Sequence, residues 1–113
     1  MENIEYAKIA AKVLSDKKAN DIKLVDIREK ASFADYLIIA TGQSERQVNG
    51  FSDYIEDELA KYEQFVKSIE GKTTSEWILM DFGDIIINLF TPQARDKYNL
   101  EKVWGDCPVE EIE

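Results

Sequence analysis

Between Asn3 and Lys18 the apolar residues Ile4, Ala7, Ala11 and Leu14, joined by Ala10 and Val13, recur at spacings of three and four, which predicts an amphipathic helix. Lys17 and Lys18 at its negative dipole end, with Asn20 just beyond, fit its close. A short β-branched run from Lys23 to Arg28 reads as a strand, and after a linker comes Tyr36-Leu37-Ile38-Ile39-Ala40-Thr41. This second run is nearly all apolar, as expected of a central strand covered on both faces. It ends in Gly42-Gln43-Ser44, where Ser44 can cap a helix and Gln47 completes a capping-box pattern. In the long helix that follows, Val48, Phe51, Ile55, Leu59 and Tyr62 fall on one face, leaving Arg46, Asp53, Glu56, Asp57, Glu58 and Lys61 largely to solvent.

The next apolar segment, Phe65 to Ile69, closes a strand-helix-strand unit whose two strands should run parallel. Beyond the polar loop Gly71 to Ser75, the runs Trp77 to Phe82 and Ile85 to Phe90 flank Gly83-Asp84 and predict a hairpin. Thr91-Pro92 is an N-cap followed by proline at the first helical position, opening a short helix through Tyr98 that Asn99 can end. The remainder, Leu100 to Glu113, carries Val103 and Trp104 and then an acidic end. No repeat or linker interrupts the chain. The expectation is an α/β fold: a single domain with a mixed five-stranded sheet flanked by helices, residues 1–108, followed by an acidic tail, 109–113.

The hairpin is the most informative segment. Side chains alternate across a strand, so a two-residue turn puts Ile78, Met80, Phe82, Ile85, Ile87 and Leu89 on one side. That side is wholly apolar and must be core. The other side joins Trp77, Leu79, Ile86 and Phe90 to Asp81 and Asn88, too polar for a dry interior and too apolar to be left wet. Two readings stand open: a partner-binding surface, or a face covered by the C-terminal segment with Tyr98, Val103 and Trp104.

Composition narrows the chemistry. The chain has 113 residues, 44% of them hydrophobic, enough to fill one core. Its formal net charge is −9, a field that repels phosphate backbones and favours a basic partner. With no histidine and only Cys107, the His-based triads, zinc sites and internal disulfides are excluded. The apolar runs are far shorter than a membrane span and the start lacks a secretory pattern, so a soluble cytoplasmic protein is expected.

Asp26, Asp35, Asp81 and Asp84 near strand ends, and Ser44 at a helix start, are the candidates for catalysis, but none has a recognisable partner set. Asp81 and Asp84 flank a tight turn, where aspartate commonly binds local backbone; a Mg²⁺-holding pair is the minority reading. Gly42 to Arg46 lacks the glycines and lysine of a phosphate loop, and Cys107 lies among acids that disfavour thiolate. No cofactor or metal is expected, and the protein is read as no enzyme.

The run Ser75-Glu76-Trp77-Ile78-Leu79-Met80-Asp81-Phe82-Gly83-Asp84-Ile85-Ile86-Ile87-Asn88-Leu89-Phe90-Thr91-Pro92-Gln93-Ala94-Arg95 is followed by Tyr98-Asn99-Leu100-Glu101 and Trp104. With Asp35 to Gly42 and Ser44 to Val48 upstream, it closely resembles the ribosomal silencing factor family, also called Iojap-related. The resemblance implies a nucleotidyltransferase-like core without catalytic residues. It also implies a noncatalytic factor that binds the large ribosomal subunit through ribosomal protein L-fourteen, blocks joining of the small subunit and represses translation. On that resemblance and the shared strand parity, Trp77, Leu79, Asp81, Ile86 and Asn88 are the expected partner-binding residues. The family commonly has His where this chain has Asn88, Tyr at Phe82 and Gly at Ser75. Rival readings are a degenerate nucleotidyltransferase-like nucleotide-binding protein and a homodimer burying the same face.

Overall fold

A computed structural model describes the whole chain, Met1–Glu113. Its elements in order are α1 (Asn3–Asp16), β1 (Asn20–Asp26), β2 (Tyr36–Thr41), α2 (Glu45–Ala60), β3 (Ser68–Glu70), β4 (Trp77–Asp81), β5 (Ile85–Phe90), α3 (Pro92–Tyr98), α4 (Leu100–Val103) and β6 (Val109–Ile112). The strands form one mixed sheet in the order β3-β4-β5-β2-β1-β6. Only β2 and β5 pair in parallel; the other neighbours are antiparallel.

The alternation of strand directions shows how the α2 crossover works. β3 runs the same way as β2, as expected of a strand-helix-strand unit, yet the two are not neighbours. β5 and β4 lie between them, because the hairpin folds back and inserts β5 beside β2. Phe65, read as part of that strand, is exposed, and β3 is only three residues long at the sheet edge.

The sequence predicts five strands; the sheet has six. The sixth, β6, lies within the segment set apart as an acidic tail and runs antiparallel to β1, with Val25 opposite Val109 and Ile22 opposite Ile112. Its Val-Glu-Glu-Ile pattern is mostly exposed, so it lacks the apolar alternation that marks a strand with a buried face. β1 begins earlier than predicted, at Asn20, through an irregularity between Asn20 and Lys23 where Asp21 takes φ 51°.

One face of the sheet is sealed by α1 and α2. Ala7, Ala10, Ala11 and Leu14 of α1, and Val48, Phe51, Ile55 and Leu59 of α2, pack on Leu24, Ile38, Ala40, Ile78, Met80, Ile87 and Leu89 in a cluster of 19 buried residues. The alanine stripe brings α1 close to the strands, and each large aliphatic side chain buried there stabilises the fold by roughly 2 kcal/mol. Ser44 caps α2 by accepting the Gln47 N–H at 3.1 Å, while the Gln47 side chain reaches the Gln43 N–H rather than that of Ser44 itself. Tyr62 lies beyond the end of α2, exposed, with its ring against Tyr6.

A half-covered sheet face as the candidate docking site

The hairpin has the register predicted by a two-residue turn. Trp77 pairs with Phe90, Leu79 with Asn88 and Asp81 with Ile86, while the Phe82 N–H bonds the Ile85 carbonyl across Gly83-Asp84. Gly83 takes φ 95°, a backbone shape open to glycine, and this fixes the turn and therefore the parity of every side chain. Ile78, Met80, Phe82, Ile85, Ile87 and Leu89 are all buried, as the apolar side must be.

On the opposite side the C-terminal segment supplies a partial cover. The α3–α4 segment covers part of the face, so that Phe90, Ala94, Leu37, Ile39 and Val25 form a second, smaller buried cluster. The cover stops at the hairpin. Trp77, Leu79, Asp81 and Ile86 are left half-buried, beside exposed Glu70, Glu76 and Asp84. Asn88 differs from its predicted companions: it is only 1% exposed, and its Oδ1 accepts the indole N–H of Trp77 at 2.9 Å. It therefore holds the tryptophan in orientation. The Trp77 ring stacks on Phe90 at 5.2 Å between centroids and meets Tyr98 of α3 at 4.6 Å.

What fastens the cover to the sheet is a polar tie that sequence reasoning did not single out. Arg95, 8% exposed, donates from Nη1 to the Asp21 carbonyl at 2.5 Å and to Thr41 Oγ1 at 2.8 Å, and from Nε to Glu101 Oε1 at 2.9 Å. Glu101 Oε2 accepts from Lys23 Nζ at 3.0 Å. One arginine thus links α3 to the irregular start of β1 and the end of β2, and Glu101 links α4 to β1. The Arg95 guanidinium, with Lys23 beside it, holds the Glu101 carboxyl below its usual range, and Glu101 raises the Lys23 ammonium. The available signal was Arg95 spaced six residues before Glu101, but its partners Asp21 and Thr41 lie more than fifty residues away in the chain.

The carboxylates considered for catalysis do not converge. Asp26 is held by Arg28 through two side-chain bonds of 3.0 and 2.8 Å, which lower its carboxyl from the usual range. Asp35 accepts from Asn3 Nδ2 at 3.0 Å. Asp81 Oδ1 accepts the Gly83 N–H at 2.7 Å, the local turn bond expected of such an aspartate, and Asp84 is exposed. Ser44 is engaged in its cap, and Cys107 is half-buried against the second cluster. No group of three or more acidic, Cys or His side chains is placed to hold a metal, and no helix is long and apolar enough to cross a membrane.

Comparison with known proteins gives this α/β face a context. The family described as "Ribosomal silencing factor during starvation" matches residues 1–113, and the chain belongs to that family. A ribosomal silencing factor RsfS of Bacillus subtilis is 38% identical over 113 residues, covering 100% of this chain and 96% of its own. The mouse protein named mitochondrial assembly of ribosomal large subunit protein 1 is 31% identical over 96 residues, covering 81% of this chain and 42% of its own. A crystal structure of a Chromobacterium violaceum protein superposes with a TM-score of 0.90 at 34% identity, covering 93% of this chain and 88% of that one. The family is one of regulatory factors rather than of known enzymes.

Proposed function

We propose that this protein docks on the large ribosomal subunit in the cytoplasm through ribosomal protein L-fourteen, and that its bulk there blocks joining of the small subunit and so represses translation. Trp77, Leu79, Asp81 and Ile86 form the contact face, with Asn88 behind them holding the indole. The observation that carries this reading is the half-covered hairpin: apolar side chains left partly open around a carboxylate, on a chain of net charge −9. Burying a tryptophan at the centre of an interface contributes roughly 2 kcal/mol or more. Asp81, whose Oδ2 makes no bond within the chain, pairs with a Lys or Arg of the partner, and the acidic field speeds encounter with a basic surface. Membership of a family named for ribosomal silencing supports the partner's class, and the mouse relative's name points to the large subunit.

The test is co-sedimentation with purified large subunits. Trp77→Ala and Asp81→Lys, each with an unchanged helical spectrum, are expected to lose most binding. If both folded variants pellet with the subunit like the parent protein, this face is not the docking site.

A further inference from the structure

Beyond the hairpin, the loop between β1 and β2 holds an exposed aromatic side chain. Phe33 is 62% exposed, yet it sits on a loop whose backbone is tied down on both sides. The Lys30 and Ala31 N–H groups bond the Ile27 carbonyl at 3.1 and 2.8 Å, the Ile27 N–H bonds the Asp35 carbonyl at 3.0 Å, and the Asp35 N–H bonds the Asp84 carbonyl at 2.8 Å. The neighbouring Ala34 is buried. A loop fixed in this way presents its phenylalanine rather than tucking it in, and binding through it costs little ordering entropy. The ring meets the indole of Trp104 edge-on, with centroids 6.1 Å apart.

Position in the sheet makes this pair part of a larger surface. The bond from Asp35 to Asp84 puts the loop beside the hairpin turn, next to Ile86. Ile86 and Trp104 pack on the same buried cluster, which also contains Ala34. The outward side of the sheet therefore carries two aromatic pairs around one buried cluster: Trp77 and Tyr98 beside Phe90, and Phe33 and Trp104 beside the loop between β1 and β2. Acids border the second pair. Asp84 and Glu29 are exposed, Asp106 is exposed but already pairs with Lys30 of the loop at 2.8 Å, and residues 105–113 contain four acids and no Lys or Arg.

We infer that Phe33 and Trp104 form a second anchor for the same basic protein surface that the hairpin engages, an assignment that rests on the docking reading above. Aromatic rings bordered by carboxylates suit Lys and Arg side chains, whose aliphatic stems lie on the rings while their charged ends reach the acids. The same border repels the phosphates of RNA. The two anchors stand apart on one sheet face, one at β4 and one at the loop between β1 and β2, so a partner that engages both spans the face rather than inserting at a single point.

The experiment compares Phe33→Ser and Phe33→Leu with Trp77→Ala in the full chain, titrated against purified large subunits and against protein-free large-subunit RNA. Melting temperatures are measured alongside; Phe33 variants should match the parent because the side chain is mostly in solvent. Phe33→Ser is expected to weaken subunit binding about tenfold, and Phe33→Leu to restore most of it. Subunit binding by Phe33→Ser within twofold of the parent, while Trp77→Ala binds poorly, overturns the second anchor and leaves the hairpin reading standing. Parent-like binding by all three variants overturns both. Tight binding to the bare RNA that depends on Phe33 overturns the assignment of a protein partner.

Discussion

The two sides of the sheet are built from the same strands by the same alternation, yet one is closed and the other is not. On the first, two long helices with alanine and aliphatic stripes cover every apolar position of the hairpin. On the second, two helices of seven and four residues help bury Val25, Leu37, Ile39 and Phe90 but leave Trp77, Leu79 and Ile86 partly open. The difference lies in the covering layer, not in the strands. A sheet whose second layer is short keeps a flat apolar area supported by a rigid core, which suits recognition without chemistry.

Adjacent residues of β5 give the sharpest test. Ile87 is fully buried under α1 and α2, and Ile87→Ala should cost about 4 kcal/mol in urea unfolding, with large-subunit binding by the folded fraction unchanged. A cost below 1 kcal/mol would mean that the first side is not the tightly packed one. Replacing Glu101 by Gln weakens the tie that holds α3 and α4 and leaves Arg95 less compensated. An effect of about 2 kcal/mol is expected, kept below the cost of breaking a fully buried pair because Glu101 is partly solvated.

The same carboxyl predicts a pH dependence. Because Glu101 titrates lower in the folded chain than in the unfolded one, its contribution is present in full above the ordinary carboxylate range and is lost as pH falls through the folded value. Urea midpoints of the parent should therefore drop more on acidification than those of Glu101→Gln. Parallel curves would show that the tie carries no such linkage.

A smaller stability effect, about 1 kcal/mol, is expected for Ile86→Ala, together with a clear loss of subunit binding in co-sedimentation. That is the reverse of the Ile87 pattern one residue away. Smallest of all is Ser75→Gly. Ser75 takes φ 58°, which glycine adopts freely, but its hydroxyl bonds the Lys72 carbonyl and accepts from Asn49 Nδ2, both at 2.9 Å. Relief of backbone strain and loss of these bonds should leave the melting temperature within the change expected for about 0.5 kcal/mol.

Most of the hairpin was legible because Gly83 fixes the turn and the turn fixes parity. β2 was legible because a run of five apolar residues closed by Thr41 has few other uses, and α3 because Thr91, Pro92 and Asn99 mark both ends. β6 was not, since an edge strand with exposed glutamates carries no periodic signal. The extent of cover on the second side was not legible either. The cover is fastened by Arg95 bonding the Asp21 carbonyl and Thr41, contacts between distant parts of the chain that no local pattern encodes. Parity alone likewise groups Asn88 with the proposed contact residues, whereas its burial and its bond to the indole place it behind Trp77.

Both tryptophans, Trp77 and Trp104, pack on the smaller cluster, and none lies on the side sealed by α1 and α2. Tryptophan emission, excited selectively over tyrosine, is therefore a one-sided optical probe. It will register displacement of the short helices or the arrival of a quenching neighbour, and it will be nearly blind to loosening of the long helices until the whole molecule melts.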